Sequence, residues 1–178
     1  MKDLLTGAAL FVIDIQNDYF PDGQYPLSGS IDASLQAQKV LKFFRGRALP
    51  VIHVEHEAIK PDATFFLPNT DGQKIHANAL PADGEFVIKK HHISSFEQTP
   101  LLTYLQGQNI QRMIITGMQT NVCVLGATTD GLKHGFEVVV LRDATAAVNP
   151  TIYAETIEKF ATIGATVMSV DDFLNAHN

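Results

Sequence analysis

The 178-residue sequence is short of cysteine, of basic charge and of long apolar runs, and each shortage removes a class of protein. Its single cysteine, Cys123, cannot form a disulfide within the chain, so a cytoplasmic, reducing setting is expected. No apolar run reaches the ~20 residues of a membrane-spanning helix. Asp14 and Asp18 interrupt the apolar N-terminal stretch, and no small-residue cleavage pattern follows it, so a signal peptide is not expected.

Basic residues are outnumbered, with 13 Lys and Arg against 19 Asp and Glu and a net charge of −6. No basic stripe occurs, so neither nucleic acid nor a membrane is an expected partner. No GxGxxG follows the first apolar run and no GxxxxGK[ST] occurs, which argues against a dinucleotide or P-loop site. The length and a hydrophobic content of 46% predict one globular domain, residues 1–178, with a full core.

Apolar runs alternate with helix-forming segments along the whole chain. Residues 8–14 are apolar up to a closing aspartate, which is typical of a strand buried on both faces of a parallel sheet. Further strands are predicted at 50–54, 85–89, 112–116, 137–141 and 166–170. Helices are predicted at 31–45 with Ser30 as cap, and at 100–107, 120–134, 150–163 and 171–176. This order predicts an α/β fold with three layers, α/β/α, and a mostly parallel six-stranded sheet with helices on both faces.

Residues 55–84 interrupt this pattern, because they are rich in proline and glycine and have no clear periodicity. A loop of this length inside a compact domain is usually functional. We expect it to act as a lid or a subunit contact.

Three chemically capable side chains follow three different predicted strands. Asp14 closes the first, Lys90 closes the third, and Cys123 lies in the first turn of the helix after the fourth, with Thr120 or Asn121 as cap. Each also has a structural interpretation, as a loop cap, a solvated strand end and a small buried apolar residue. Because ligands bind beyond the carboxyl ends of parallel strands, the three together predict an acyl-transfer site with base, cation and nucleophile. The helix start favours a thiolate, so alkylation by iodoacetamide near neutral pH is expected.

Histidines and phenylalanines near these segments allow further predictions. His53 and His56 are close in sequence, but an extended segment points them to opposite faces, and no Asp-x-His follows the second strand. We therefore expect no metal and no other cofactor, and we expect His91 and His92 to be loop or interface residues. Separately, four phenylalanines lie in or beside loops, where each could pack beneath a loop or form an apolar wall for a small substrate: Phe20, Phe65, Phe66 and Phe96. A mixture is expected, with Phe20 and Phe96 favoured as pocket residues because each flanks a proposed catalytic segment.

Three segments taken in order carry a family resemblance: ALFVIDIQNDYF, VIKKHHISSFEQTPLLTYL and MIITGMQTNVCVLGATTDGLKHGFEVVVLRDATAA. Over essentially its whole length the chain resembles the isochorismatase-like cysteine hydrolase superfamily. The resemblance implies a catalytic triad of Asp14, Lys90 and Cys123. Lys90 is chosen over Lys89 because it lies six residues before Phe96, as in the family pattern Lys-x-x-x-Ser-x-Phe.

The same resemblance implies further features of the site. It implies a cis peptide bond between Met118 and Gln119, and an oxyanion hole made by the backbone amides of Gln119 and Cys123. Members of the family usually form dimers or tetramers, so a homo-oligomer is expected, with residues 55–84 closing a neighbour's pocket.

The nature of the reaction also follows from the resemblance. Isochorismatases proper cleave a vinyl ether and lack the nucleophilic cysteine, whereas nicotinamidases carry a metal-binding Asp-x-His that this chain does not have. Cys123 therefore favours hydrolysis of a C–N bond in a small amide, carbamoyl or ureido substrate through a thioester. Nicotinamide, a vinyl ether, or a non-catalytic binding role on the same fold are the alternatives. A thiol redox enzyme is disfavoured because the chain has no resolving cysteine.

Overall fold

A single six-stranded sheet forms the centre of the computed structural model, which describes residues 3–177. Its strands follow the order β3-β2-β1-β4-β5-β6, and every neighbouring pair is parallel. The strands are β1 (Ala8–Ile13), β2 (Val51–His56), β3 (Phe86–Lys90), β4 (Arg112–Met118), β5 (Glu137–Ala146) and β6 (Thr166–Met168). The predicted α/β fold with a parallel sheet is therefore confirmed.

Helices cover both faces of this sheet. They are α1 (Ser30–Gly46), α2 (Leu101–Gly107), α3 (Leu125–Lys133), α4 (Pro150–Thr162) and α5 (Val170–Asn175). Alternate residues of β1 belong to two separate apolar clusters, one shared with α1 and α5 and the other with α2, α3 and α4. This is why β1 has no polar residue: both of its faces are buried.

Helix ends explain which local predictions succeed. The Asn149 side chain accepts a hydrogen bond from the Ile152 amide at 2.9 Å, and Pro150 occupies the first turn of α4. Gly164, with a φ of 99°, follows the end of the same helix. The prediction of Ser30 as a cap is wrong, because Ser30 is already the first residue of α1 and Gly29, with a φ of 74°, takes the capping position.

Most segment boundaries differ from the sequence predictions by one or two residues, and β2 and β4 each run two residues further, to His56 and Met118. β5 extends to Ala146, five residues beyond its predicted end, and β6 stops at Met168. The predicted helix at 120–134 is divided into a π-helical turn, Thr120–Val124, and the regular helix α3. Among residues 3–177, none of the helices is long and apolar enough to cross a membrane.

The strand order reverses between β1 and β4, and these two strands approach each other closely at Gly117. This glycine has a φ of 134°, and a Cβ atom built on it would lie 2.1 Å from the carbonyl oxygen of Ile13. Both facts exclude any other residue, because the obstacle is backbone rather than a flexible side chain. The glycine therefore permits the close approach of the two strands that carry Asp14 and Cys123.

Replacing Gly117 with alanine is expected to lower the free energy of unfolding by about 3 kcal/mol, through overpacking and backbone strain. For a domain of this size, the melting temperature should fall by roughly 6–12 °C. Gly46→Ala is the matched control, because no atom lies within 4 Å of its added Cβ and α1 tolerates alanine. Thermal melts that are unchanged for Gly117→Ala would contradict this account.

The long loop between β2 and β3, residues 57–85, begins two residues later than predicted because β2 continues to His56, and it is anchored to the segment that follows β1. The buried Asp18 carboxylate accepts hydrogen bonds from the Phe66 amide at 2.6 Å and from the Gln24 amide at 3.1 Å. A Cβ atom on Gly72 would collide with this carboxylate, so glycine is required where the loop crosses it. The loop is thus irregular in secondary structure but specifically positioned.

Candidate active site

Three strand ends place the predicted catalytic residues at one edge of the sheet. Asp14 directly follows β1, Lys90 is the last residue of β3, and Cys123 lies in the π-helical turn after β4. Because β2 separates β3 from β1, the Lys90 side chain must extend past β2 to reach the reversal point between β1 and β4. This is the position at which parallel sheets bind ligands.

The structure brings the three side chains into contact through Lys90. Its Nζ lies 2.9 Å from Asp14 Oδ2 and 3.3 Å from Cys123 Sγ, and it also donates to the carbonyl oxygen of His92 at 3.1 Å. The side chains of Asp14 and Lys90 have no solvent exposure, and Cys123 is 5% exposed. A buried carboxylate is costly unless it is paired, and the ammonium supplies that pairing.

The neighbouring lysine has the opposite orientation. Lys89 is on the outer side of β3, where its Nζ lies 2.7 Å from Glu57 and 3.7 Å from Glu55, and its side chain is 43% exposed. Adjacent strand residues point to opposite faces, so only one lysine of the pair can enter the site. The choice of Lys90 over Lys89 agrees with this geometry.

Electrostatics in the site favour a charged lysine and a protonated cysteine. Burial alone would lower the pKa of Lys90, but its interactions with Asp14 and Cys123 more than offset this, so its pKa is above the ordinary value. For Cys123, burial raises the pKa well above that of a free thiol; Asp14 raises it further, and Lys90 only partly opposes this. The expectation of a populated thiolate near neutral pH is therefore wrong, because desolvation outweighs the helix start and the ammonium.

Alkylation kinetics should reflect this raised pKa. We expect iodoacetamide to modify Cys123 more slowly than free glutathione at pH 7.5, because the thiolate fraction is smaller, and the rate to keep rising above pH 9. Mass spectrometry can follow the reaction without ambiguity, since Cys123 is the only cysteine. A rate that levels off below pH 8 would contradict the raised pKa.

The turn that carries Cys123 differs from its predicted form. Gln119 precedes the turn without donating or accepting a capping hydrogen bond from its side chain, so the predicted caps, Thr120 and Asn121, are wrong. The Thr120 hydroxyl and the Asn121 side-chain oxygen are buried without a hydrogen-bond partner. The Met118–Gln119 peptide bond is cis, as the resemblance implied.

A cavity of about 570 Å³ opens beside the sulfur of Cys123. It is large enough for a small-molecule substrate. Its walls include Phe65 and Phe66, which the sequence analysis ranked below Phe20 and Phe96 as pocket residues, together with Gln119 and the unpredicted Tyr19. Phe65 and Phe66 belong to the long loop, and no motif distinguishes them from the other loop phenylalanines.

The two phenylalanines predicted for the pocket lie elsewhere. Phe20 is stacked on His76, with ring centroids 3.6 Å apart, and Phe96 packs near His134 and Phe136. Neither lines the cavity beside Cys123. Both residues were predicted to line the pocket because they are close in sequence to catalytic segments. In the structure their side chains point to other neighbours, so the prediction is wrong.

His53 and His56 have different surroundings, as their spacing predicted. His53 is buried and its Nε2 lies 2.8 Å from Glu85, whereas His56 lines the cavity and its Nδ1 lies 3.1 Å from Lys90 Nζ. Within the part of the chain that the structure describes, no group of three His, Cys, Asp or Glu residues is placed to hold a metal ion. The sequence did not decide whether His56 lines the pocket, and the structure places it there.

Several relatives share both sequence and architecture with this chain. The isochorismatase family protein YddQ of Bacillus subtilis (strain 168) is 40% identical over 138 residues, which is 78% of this chain and 77% of YddQ. A solved structure from Oleispira antarctica, described as belonging to the isochorismatase hydrolases, has a TM-score of 0.90 and 34% identity and covers 98% of each chain.

Other relatives have names that specify a reaction or its absence. The N-carbamoylsarcosine amidase structure from Thermoplasma acidophilum has a TM-score of 0.82 and 27% identity, and covers 92% of this chain and 96% of its own. An Enterobacter sp. (strain 638) ureidoacrylate amidohydrolase is 36% identical over 54% of this chain and 43% of its own length. An Arabidopsis thaliana protein named as a probable inactive nicotinamidase is 27% identical over 97% of both chains. Residues 8–172 match the isochorismatase domain model, and the chain belongs to the isochorismatase family of hydrolases.

Proposed function

We propose that this protein is a cysteine hydrolase that cleaves a C–N bond of a small amide, carbamoyl or ureido substrate through a thioester. The observation that carries the proposal is the contact of one buried ammonium with both a carboxylate and a thiol beside a cavity. Nucleophilic catalysis requires a nucleophile and a base held together, and a cation stabilises the charges that move between them.

In the first half of the reaction, Asp14 removes the proton of Cys123 as the sulfur attacks the carbonyl carbon. The thiol is protonated at rest, so this transfer accompanies attack rather than preceding it. The carbonyl oxygen becomes an oxyanion, for which the backbone amides of Gln119 and Cys123 are the proposed donors. Asp14 then returns the proton to the leaving nitrogen, and the C–N bond breaks.

In the second half, water hydrolyses the thioester while Asp14 again acts as base. The acyl group is released as a carboxylic or carbamic acid, and Asp14 passes the proton that it took from water to the sulfur. Lys90 stays charged throughout, and its ammonium contacts both the carboxylate and the sulfur. With carbamoyl or ureido compounds the same sequence releases ammonia, either as the leaving group or by breakdown of the released carbamate.

The substrate class is supported by the cavity and by two relatives. The cavity is of the size that suits a compact molecule, and aromatic side chains form part of its wall. The names of the carbamoylsarcosine amidase and the ureidoacrylate amidohydrolase both specify C–N hydrolysis. A homo-oligomeric state, a cytoplasmic location and the absence of a metal stay predictions.

An ammonia-release screen tests this proposal. The panel comprises small amides including nicotinamide, carbamoyl amino acids and ureido acids, and the Cys123→Ala protein is the blank for each compound. We expect at least one C–N substrate to release ammonia only with the unaltered protein. Release of ammonia at equal rates by both proteins, or no turnover across the panel, would contradict the proposal and favour a binding role.

A further inference from the structure

His56 occupies a position in the cavity for which the mechanism above has no use. It ends β2 in the register position next to Lys90, and its ring lines the cavity. Its Nδ1 lies 3.1 Å from Lys90 Nζ. Among residues 3–177 its other ring nitrogen, Nε2, has no hydrogen-bond partner.

The contact with Lys90 determines which ring nitrogen carries the proton. Lys90 Nζ has three protons for four neighbours: Asp14, Cys123, the His92 carbonyl oxygen and His56 Nδ1. An N–H at Nδ1 would point at this cation and be repelled, so the Nδ1 that meets it is the unprotonated nitrogen. A neutral imidazole that is bare at Nδ1 is protonated at Nε2. The ring therefore presents an N–H donor from its free side.

The imidazole also resists becoming a cation. Burial and the charge of Lys90 lower the pKa of His56 to about 4. The Asp14 carboxylate acts in the opposite direction and tends to raise it, whereas His91 and His92 lower it slightly. The donor at Nε2 is thus a neutral one throughout the range in which the enzyme would work.

The backbone of His56 is held from both sides, which fixes where this donor lies. The Gln16 side chain accepts from the His56 amide at 2.8 Å and donates to the His56 carbonyl oxygen at 2.8 Å. Gln16 also donates to the carbonyl oxygen of Gln73 at 2.6 Å and is itself fully buried. A donor held this firmly is pre-organised for a ligand.

We propose that His56 is a substrate-binding residue that donates its Nε2–H to an acceptor oxygen of the substrate, such as a carboxylate or second carbonyl oxygen beyond the scissile group. This proposal rests on the proposed hydrolase function and deepens it, because it states what the substrate must carry. A molecule without such an oxygen would cover this donor without pairing it, which lowers its affinity.

The tautomer can be tested without any turnover. In protein labelled with ¹⁵N-histidine, the His56 signals are assigned by their absence in His56→Asn. We expect an unprotonated Nδ1 and a protonated Nε2 from pH 8 down to about pH 5, consistent with a pKa of about 4. A proton on Nδ1, or an imidazolium at pH 6, would overturn the proposal.

The ligand is tested on the Cys123→Ala protein with two probes of similar size. N-carbamoylglycine has a carboxylate beyond its ureido group, whereas propylurea has an apolar end. We expect N-carbamoylglycine to shift the His56 Nε2 signal and to bind about 10-fold more tightly than propylurea. Equal affinities, or no change in the Nε2 signal at the highest soluble concentration, would overturn the assignment.

Two substitutions separate the donor from the support that His56 gives to Lys90. Asparagine can still accept from Lys90 but lacks a donor at the Nε2 position, and glutamine places an amide donor near that position. We expect His56→Asn to raise KM about 10-fold with kcat within about threefold, and His56→Gln to recover most of the KM. A fall in kcat alone, with KM unchanged, would indicate a role in supporting Lys90 and overturn the proposal.

Failure of the ammonia screen would leave the tautomer and binding results standing, so the hydrolase proposal and the His56 proposal can be distinguished.

Discussion

Replacing Cys123 with alanine is expected to lower turnover at least about 10⁴-fold and to leave the fold intact. The sulfur is the only atom in the site that can form the thioester, so no other group can take its place. The side chain is nearly buried, yet it is small and borders a cavity, so alanine removes one atom without opening a large void in the core.

The measurement is steady-state ammonia release on a substrate identified in the screen, together with a thermal melt. Val122→Ala is the matched control, because Val122 lines the same cavity one residue earlier and has no group that can react. Its kcat should stay within about threefold of the unaltered protein. Retained activity in Cys123→Ala with a verified substrate would end the cysteine-hydrolase proposal.

Replacing Lys90 with methionine should damage both activity and stability. The change removes the ammonium that lies 2.9 Å from Asp14 and 3.3 Å from the sulfur, and leaves a carboxylate buried without a cation. We expect kcat to fall at least about 100-fold. At pH 7.5 the free energy of unfolding should fall by about 3 kcal/mol, the usual result of removing one partner of a buried pair.

A matched substitution one residue away separates the loss of the ammonium from a general effect of changing β3. Lys89→Met is the matched control: it changes the adjacent residue on the exposed side of β3 and should alter kcat by less than about twofold. Equal losses in both variants would show that Lys90 has no special place in the site.

Much of the fold could be predicted because the local signals agreed with the tertiary structure. The apolar run of β1 is buried on both faces, and Asn149 with Pro150 begins α4 as expected. Boundaries were less accurate where long-range pairing decides them. β5 continues to Ala146 because its end pairs with the end of β4, and no local pattern marks that extension.

The candidate site shows the same contrast between residues that local signals identify and residues that long-range packing places. Asp14, Lys90 and Cys123 were identifiable because each follows a strand and each matches a family segment. The pocket wall was ranked wrongly, because Phe65 and Phe66, the less favoured candidates, reach it through a long loop anchored by Asp18. Nothing in a one-dimensional pattern reports where such a loop crosses the sheet edge.

By itself the sequence determined the alternation of strands and helices, the faces that are buried and the residues able to do the chemistry. These depend on the periodicity of apolar residues and on side-chain type, which are local properties. Only the tertiary structure decided that Lys90 reaches past β2 to Asp14 and Cys123, that burial raises the pKa of the thiol, and that His56 lines the cavity. Distances between strand ends and the desolvation of charges arise when distant segments pack together, so no stretch of sequence contains them.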